Sequence, residues 1–168
     1  VAISISSLRM ASHRGSVSFA STSVEARNRG VRTAFLCHSH KDQDLVKGFV
    51  RMLHESGWSV YVDWNDTSMP STPNQETARK IREKIVQLDY FILLATENSM
   101  ASRWCPWELG CADGKKPNER ILVVPTTEHG REHGNEYVGL YRRIDSNSLG
   151  HMQVFSPGSS YGTAVRSL

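Results

Sequence analysis

The sequence predicts an α/β fold: a five-stranded parallel sheet in the order 2-1-3-4-5, with helices on both faces. Three observations support this. Short apolar runs rich in β-branched and aromatic residues recur at 33–37, 58–62, 90–95, 121–125 and 151–155. Their starts lie 25 to 32 residues apart, room for one helix and two short loops, as βαβ units require. The 168 residues are 39% hydrophobic and 22% charged, a composition that builds one core and does not suggest wholesale disorder.

Residues 1–30 are expected to form an N-terminal extension or linker with a short helix opening near Ser6 or Ser7, and residues 31–168 the domain proper. This opening stretch holds eight serines and four arginines against the single acid Glu25. Such a composition also fits an organellar transit peptide, the second reading of the segment. The whole net charge of +3 resides here, and the remainder balances at 16 basic and 16 acidic residues. A body without basic excess argues against nucleic acid as a partner. No apolar run approaches the roughly 18–20 residues that span a bilayer. Three sparse cysteines, Cys37, Cys105 and Cys111, do not make a secreted disulfide framework, so a reduced, cytoplasmic setting is expected.

The helices follow from periodicity. After Asp42, read as a cap, the residues Leu45, Val46, Phe49, Val50 and Leu53 share one face, and Gly57 stops the helix. The second is expected to open with Thr72 as cap, Pro73 at its first position and Gln75 closing a capping box. Its buried stripe is Ala78, Ile81, Ile85 and Leu88. A third covers 104–112 and must open near Ser102 or Arg103, because Pro106 is tolerated only close to a helix start. A fourth is placed at 136–144, and 159–168 reads as one more.

An open parallel sheet binds ligands outside the carboxyl ends of its strands, where the strand order reverses. That places the site among residues 37–42, 63–66 and 96–108. The first of these loops contains no glycine, so it cannot be a Gly-rich phosphate cradle. A phosphoacceptor would want an acidic cluster by the first strand and an Asp ending the third, and the chain offers Arg32 and Thr96. What remains is Trp104-Cys105-Pro106-Trp107-Glu108, with an indole and a carboxylate one helical turn apart. This pair suits a flat heterocycle joined to a sugar. The ring stacks on Trp104, and Glu108 stabilises the oxocarbenium-like charge of glycosidic cleavage. A pyridinium such as nicotinamide leaves as a neutral ring, so no second carboxylate is needed as acid. The plainer alternative for Glu108 is a first-turn acid favoured by the helix dipole. Of the two tryptophans, Trp107 is expected to be packed and Trp104 to face the site. The spacing of the cysteines with His38 and His40 matches no standard zinc finger, and no metal site is expected.

Three segments resemble the Toll/interleukin-1 receptor (TIR) domain family in its bacterial form. They are Phe35-Leu36-Cys37-His38-Ser39-His40-Lys41-Asp42, Val60-Tyr61-Val62-Asp63-Trp64, and the stretch from Ser99 through Trp104 and Glu108 to Gly110. The resemblance covers about residues 31–156. It implies a flavodoxin-like fold and NAD+ glycohydrolase activity, releasing nicotinamide with ADP-ribose or a cyclic or conjugated product, in anti-phage defence. Glu108 is then the catalytic residue and Trp104 part of the nicotinamide-side pocket. His38, Ser39, His40 and Lys41 face phosphate and ribose, Asp63 and Trp64 open the BB loop, and Ser99 also lines the substrate site. NAD+ is consumed as substrate, with no cofactor. Self-association through TIR–TIR contacts and an effector that senses the product are the implied partners. The rival implication is a TIR–TIR adaptor without chemistry.

Overall fold

The computed structural model describes residues 1–15, 31–65, 74–147 and 149–168. The expected linker at 16–30 and the expected Thr72 cap with Pro73 lie outside the described residues. The sheet is built on β2 (Arg32–Cys37), β3 (Trp58–Tyr61), β4 (Tyr90–Ala95) and β5 (Ile121–Glu128), paired in the order β3-β2-β4-β5. All three pairings are parallel. The order therefore reverses between β2 and β4, as predicted, and the chain is α/β with a mainly parallel central sheet.

The strands read as continuous apolar runs because both faces are covered. Ala34, Leu36, Ile92, Leu94, Leu122 and Val124 enter one core with Val46, Phe49 and Leu53 of α2 (Gln43–Glu55). Their alternate neighbours Phe35, Cys37, Phe91, Leu93, Ile121 and Val123 enter a second core. There they meet Ile81 and Ile85 of α3 (Gln75–Gln87) and Leu109 of α5 (Trp104–Asp113). A short α4 (Glu97–Met100) precedes α5. The α3 cap is Asn74 rather than Thr72: its side chain accepts from the Thr77 amide while the Thr77 hydroxyl accepts from the Asn74 amide. Asn74 lies two residues after the expected cap and forms this reciprocal pair. Gln75 is the first helical residue, not the closing member of the box. Among the described residues, no helix is long and apolar enough to cross a membrane.

The first fifteen residues pack into the same body. β1 (Ile3–Ser4) pairs in parallel with the far end of β5, and α1 (Ile5–Ser12), capped by Ser4, buries Ile5, Leu8 and Ala11. Gly48 shows how closely α1 crosses α2. A Cβ there would collide with the Leu8 backbone carbonyl, so glycine is a packing requirement in mid-helix. Pro125 pairs in register with Ala95 as the last contact between β4 and β5. Proline lacks the ladder donor, and the Thr126 hydroxyl donates to the Ala95 carbonyl at 2.6 Å as β5 turns toward β1.

The far edge differs from the prediction. Residues 136–144 are not a helix: a one-turn α6 (Asn135–Val138) is followed by β7 (Arg142–Ser146), which takes the fifth parallel position beside β5. Tyr137, Leu140, Tyr141 and Ile144 fall at i, i+3, i+4 and i+7, mimicking a helical stripe, yet Leu140 is exposed. The run at 151–155 forms β8 (Met152–Phe155), antiparallel to β7. Residues 159–168 form β9 (Gly162–Ala164) and a final 3-10 turn instead of a helix. Between β5 and these strands, β6 (Arg131–His133) folds back on β5.

Candidate active site

β2 ends at the fully buried Cys37, and the chain leaves the sheet through His38, Ser39, His40 and Lys41. The Ser39 side chain accepts from the Lys41 amide and caps a 3-10 turn, while Lys41 is exposed. Asp42, expected to cap α2, makes no such bond. Its buried carboxylate accepts from the Thr96 hydroxyl at 2.5 Å and the Asn98 amide at 2.6 Å. Asp42 thus ties the loop after β2 to the loop after β4 across the switch point.

α5 docks on the end of β2. The Ser102 hydroxyl accepts from the Trp104 and Cys105 amides, and Pro106 sits in the first turn, where its missing N–H costs nothing. The Cys105 thiol donates to the His38 carbonyl at 3.5 Å, and the Cys37 thiol reaches the Cys105 carbonyl at 3.9 Å. One turn further, Glu108 is only 6% exposed, with its carboxyl against the Cys37 thiol. Burial pushes the Glu108 carboxyl well above the ordinary carboxylate value. The Cys37 hydrogen bond opposes this, and the potentials of Cys105 and Asp63 add to it. Burial likewise pushes the Cys37 thiol up.

The two tryptophans reverse expectation in part. Trp107 is at the surface, 36% exposed, whereas Trp104 is half-buried against the second core, and their rings meet edge to face at 5.4 Å. Residues three apart sit about 60° apart around a helix, so Trp104 packs on the second core while Trp107, beside it, lies on the solvent side of the same edge.

The second part of the site is polar. Asp63 begins a 3-10 turn after β3, and the rest of the expected BB loop, 66–73, lies outside the described residues. His40 Nε2 stands 2.9 Å from Asp63 Oδ2, and His38 Nε2 3.5 Å from Asp63 Oδ1. Trp64 packs edge-on to the His38 ring at 4.6 Å. Burial holds the His38 imidazole below its ordinary value despite Asp63, while the bond to Asp63 raises that of His40. For Asp63 burial pushes upward, but the His40 bond and the two imidazoles outweigh it and hold the carboxyl low.

Glu108, His38, His40, Asp63 and Trp64 therefore gather at the β2 end, with Asp63 in electrostatic reach of Glu108. Ser99 does not join them. It is 1% exposed, and its hydroxyl donates to the Leu94 carbonyl and accepts from the Thr96 amide in the α4 capping box. The thiols facing Glu108 were not foreseen. Their signal was available, because Cys105 lies three residues before Glu108 on one helix face and Cys37 closes a buried strand.

The chain has relatives among known proteins. The chain is 37% identical over 118 residues to the "Probable 3' cyclic ADP-D-ribose synthase ThsB'" of Bacillus cereus (strain MSX-D12). That match covers 68% of this chain and 61% of the relative. It is 27% identical over 90 residues to the "Putative cyclic ADP-D-ribose synthase TIR2" of Cytobacillus dafuensis, covering 52% of this chain and 24% of that protein. The chain thus spans less than two thirds of the length of either relative. Residues 34–151 match the TIR domain family. With more than half of its residues inside that match, the chain belongs to the TIR domain family.

Proposed function

We propose that the chain cleaves the nicotinamide–ribose bond of NAD+ and closes the ADP-ribose into a cyclic product, as a signal in bacterial anti-phage defence. Glu108 carries this reading: it is an ionisable group kept in an apolar setting beside the strand ends, where burial makes its charge depend on what binds next to it. The named activity of both relatives supports the same chemistry.

The pyridinium of NAD+ brings a positive charge to Glu108. An adjacent cation favours the ionised carboxylate, so substrate entry discharges the proton that burial holds there. The C1′–N bond then breaks, its electron pair passing to the ring nitrogen, and neutral nicotinamide departs against Trp104. Glu108 faces the positive charge left on the ribose. A hydroxyl of the adenosine end attacks C1′ and gives its proton to Glu108, which closes the ring. Attack by water gives linear ADP-ribose instead. NAD+ is the substrate and no further cofactor takes part. The setting is the cytoplasm, and self-association completes the working form.

Nicotinamide release from NAD+ by wild type and Glu108→Gln, with mass spectrometry of the nucleotide product, tests this. Release by wild type alone, with a product one water lighter than ADP-ribose, is expected. If both proteins are inert at high concentration and with crowding agents, the chain is an adaptor.

A further inference from the structure

The polar half of the site has a feature that NAD+ cleavage does not use. His38 Nδ1 lies 2.8 Å from the Leu36 carbonyl, which can only accept, so this nitrogen carries the proton. The neutral ring then offers Nε2 as a bare lone pair. That side chain is 2% exposed, and Nε2 faces Asp63 Oδ1 at 3.5 Å. Among the described residues, neither atom has a hydrogen-bond partner. Two buried acceptors that face each other repel, and burial removes both from bulk water. A cation between them satisfies both.

The surroundings favour a metal. His40 Nε2 is 2.9 Å from the other Asp63 oxygen, and the donor atoms of all three residues lie within 4.8 Å of one another. Ligand atoms around a tetrahedral zinc are about 3.4 Å apart, given bonds of roughly 2.0–2.2 Å. The 3.5 Å separation already fits, while the 2.9 Å one must lengthen and the widest, within 4.8 Å, must shorten by up to about 1.4 Å, adjustments that rotation of the exposed His40 ring supplies. We propose that His38 Nε2, His40 Nε2 and the Asp63 carboxylate bind one divalent first-row transition cation of the zinc type, with a fourth position open to solvent.

The donor set selects this class. Two imidazoles and one carboxylate suit zinc and its neighbours, whereas calcium and magnesium take all-oxygen cages. The His38 Nδ1–H bond to a backbone carbonyl is the outer contact that orients a metal-bound imidazole. Spacing alone hid the site, because its ligands come from two loops and the third lies 23 residues beyond His40. A bound cation pins the turn after β3 to the end of β2. It takes no part in bond cleavage.

The test is a Zn2+ titration of untagged protein against a chromophoric chelator, with Co2+ absorption as a second readout. Wild type, His40→Ala, Asp63→Asn and Cys111→Ser are compared. His40 is exposed, so its removal leaves the fold intact, and Cys111 is the partly exposed thiol that could capture metal instead. One Zn2+ per chain is expected, with a Co2+ spectrum lacking a thiolate band. Affinity should fall at least about tenfold in His40→Ala and Asp63→Asn and stay unchanged in Cys111→Ser. Absence of stoichiometric binding, wild-type affinity in both loop variants, or loss on removing Cys111 would each overturn the proposal. The titration contains no NAD+, so it succeeds or fails independently of the proposed reaction.

Discussion

In the proposed reaction, Glu108 links activity and stability through one proton. Its carboxyl is raised above the ordinary value by burial. Below the unfolded-chain value the group is neutral in both folded and unfolded states and costs nothing. As pH climbs through the raised folded value, the folded state must hold a buried charge, and stability falls. In the proposed reaction the free enzyme must give up this proton when NAD+ binds, so kcat/KM should rise as pH approaches the raised folded value, toward the upper end of the range over which stability declines. Glu108→Gln separates the two effects. Nicotinamide release should drop at least about 100-fold. The folded state should gain about 1 kcal/mol at neutral pH, or roughly 2–4 °C in Tm. Melting curves across pH check this, and the stability gap between the variants should close under acid conditions. Unequal legibility is clear at this scale. The Trp104–Glu108 spacing was readable because a helix fixes which residues share a side. Which of Trp104 and Trp107 is packed was not, because that depends on how α5 meets β2, through thiol and serine bonds that span 67 residues or are local to the turn.

At the level of elements, the continuous apolar runs that specify β2 to β5 are local and were readable. The edge was not, because β7 pairs through a strand whose only fully buried apolar residue is Ile144. Its identity comes from the neighbour it meets, and a chance helical spacing concealed it. Docking of α1 was hidden for a similar reason. Gly48 looks like a weak point in α2, where alanine would ordinarily gain about 0.5–1 kcal/mol. The Leu8 carbonyl occupies the space a methyl group would need. Gly48→Ala should therefore destabilise the protein by about 1–3 kcal/mol, the usual cost of overpacking. Urea denaturation measures this, and a stabilised variant would mean that α1 does not rest on α2. Asp42 acts at the same scale. Asp42→Asn removes the charge that holds Thr96 and Asn98, so the loops after β2 and β4 should loosen together. Hydrogen exchange should rise at both loops, while α3 keeps its protection.

For the molecule as a whole, the charge distribution sets the remaining requirement. NAD+ carries a pyrophosphate, yet the loop after β2 has no arginine, and Lys41 is its only lysine. Lys41 is exposed, so under the proposed reaction its pull on those phosphates is solvent-screened and worth about 1 kcal/mol. Lys41→Ala should raise the KM for NAD+ roughly fivefold while kcat holds, because the phosphates are bound equally in the ground and transition states. One screened cation is modest neutralisation for two phosphates. A second copy of the chain can supply more, and Trp107, exposed beside Trp104 on the helix that carries Glu108, offers an apolar contact for it. If a neighbour completes the substrate site, each chain is a poor enzyme alone and a better one in company. Specific activity should then climb with protein concentration and level off once assembly saturates, and Trp107→Ala should shift that rise to higher concentration without altering the melting temperature. A specific activity that is constant from dilute to concentrated enzyme would show that the isolated chain already holds every group the reaction needs.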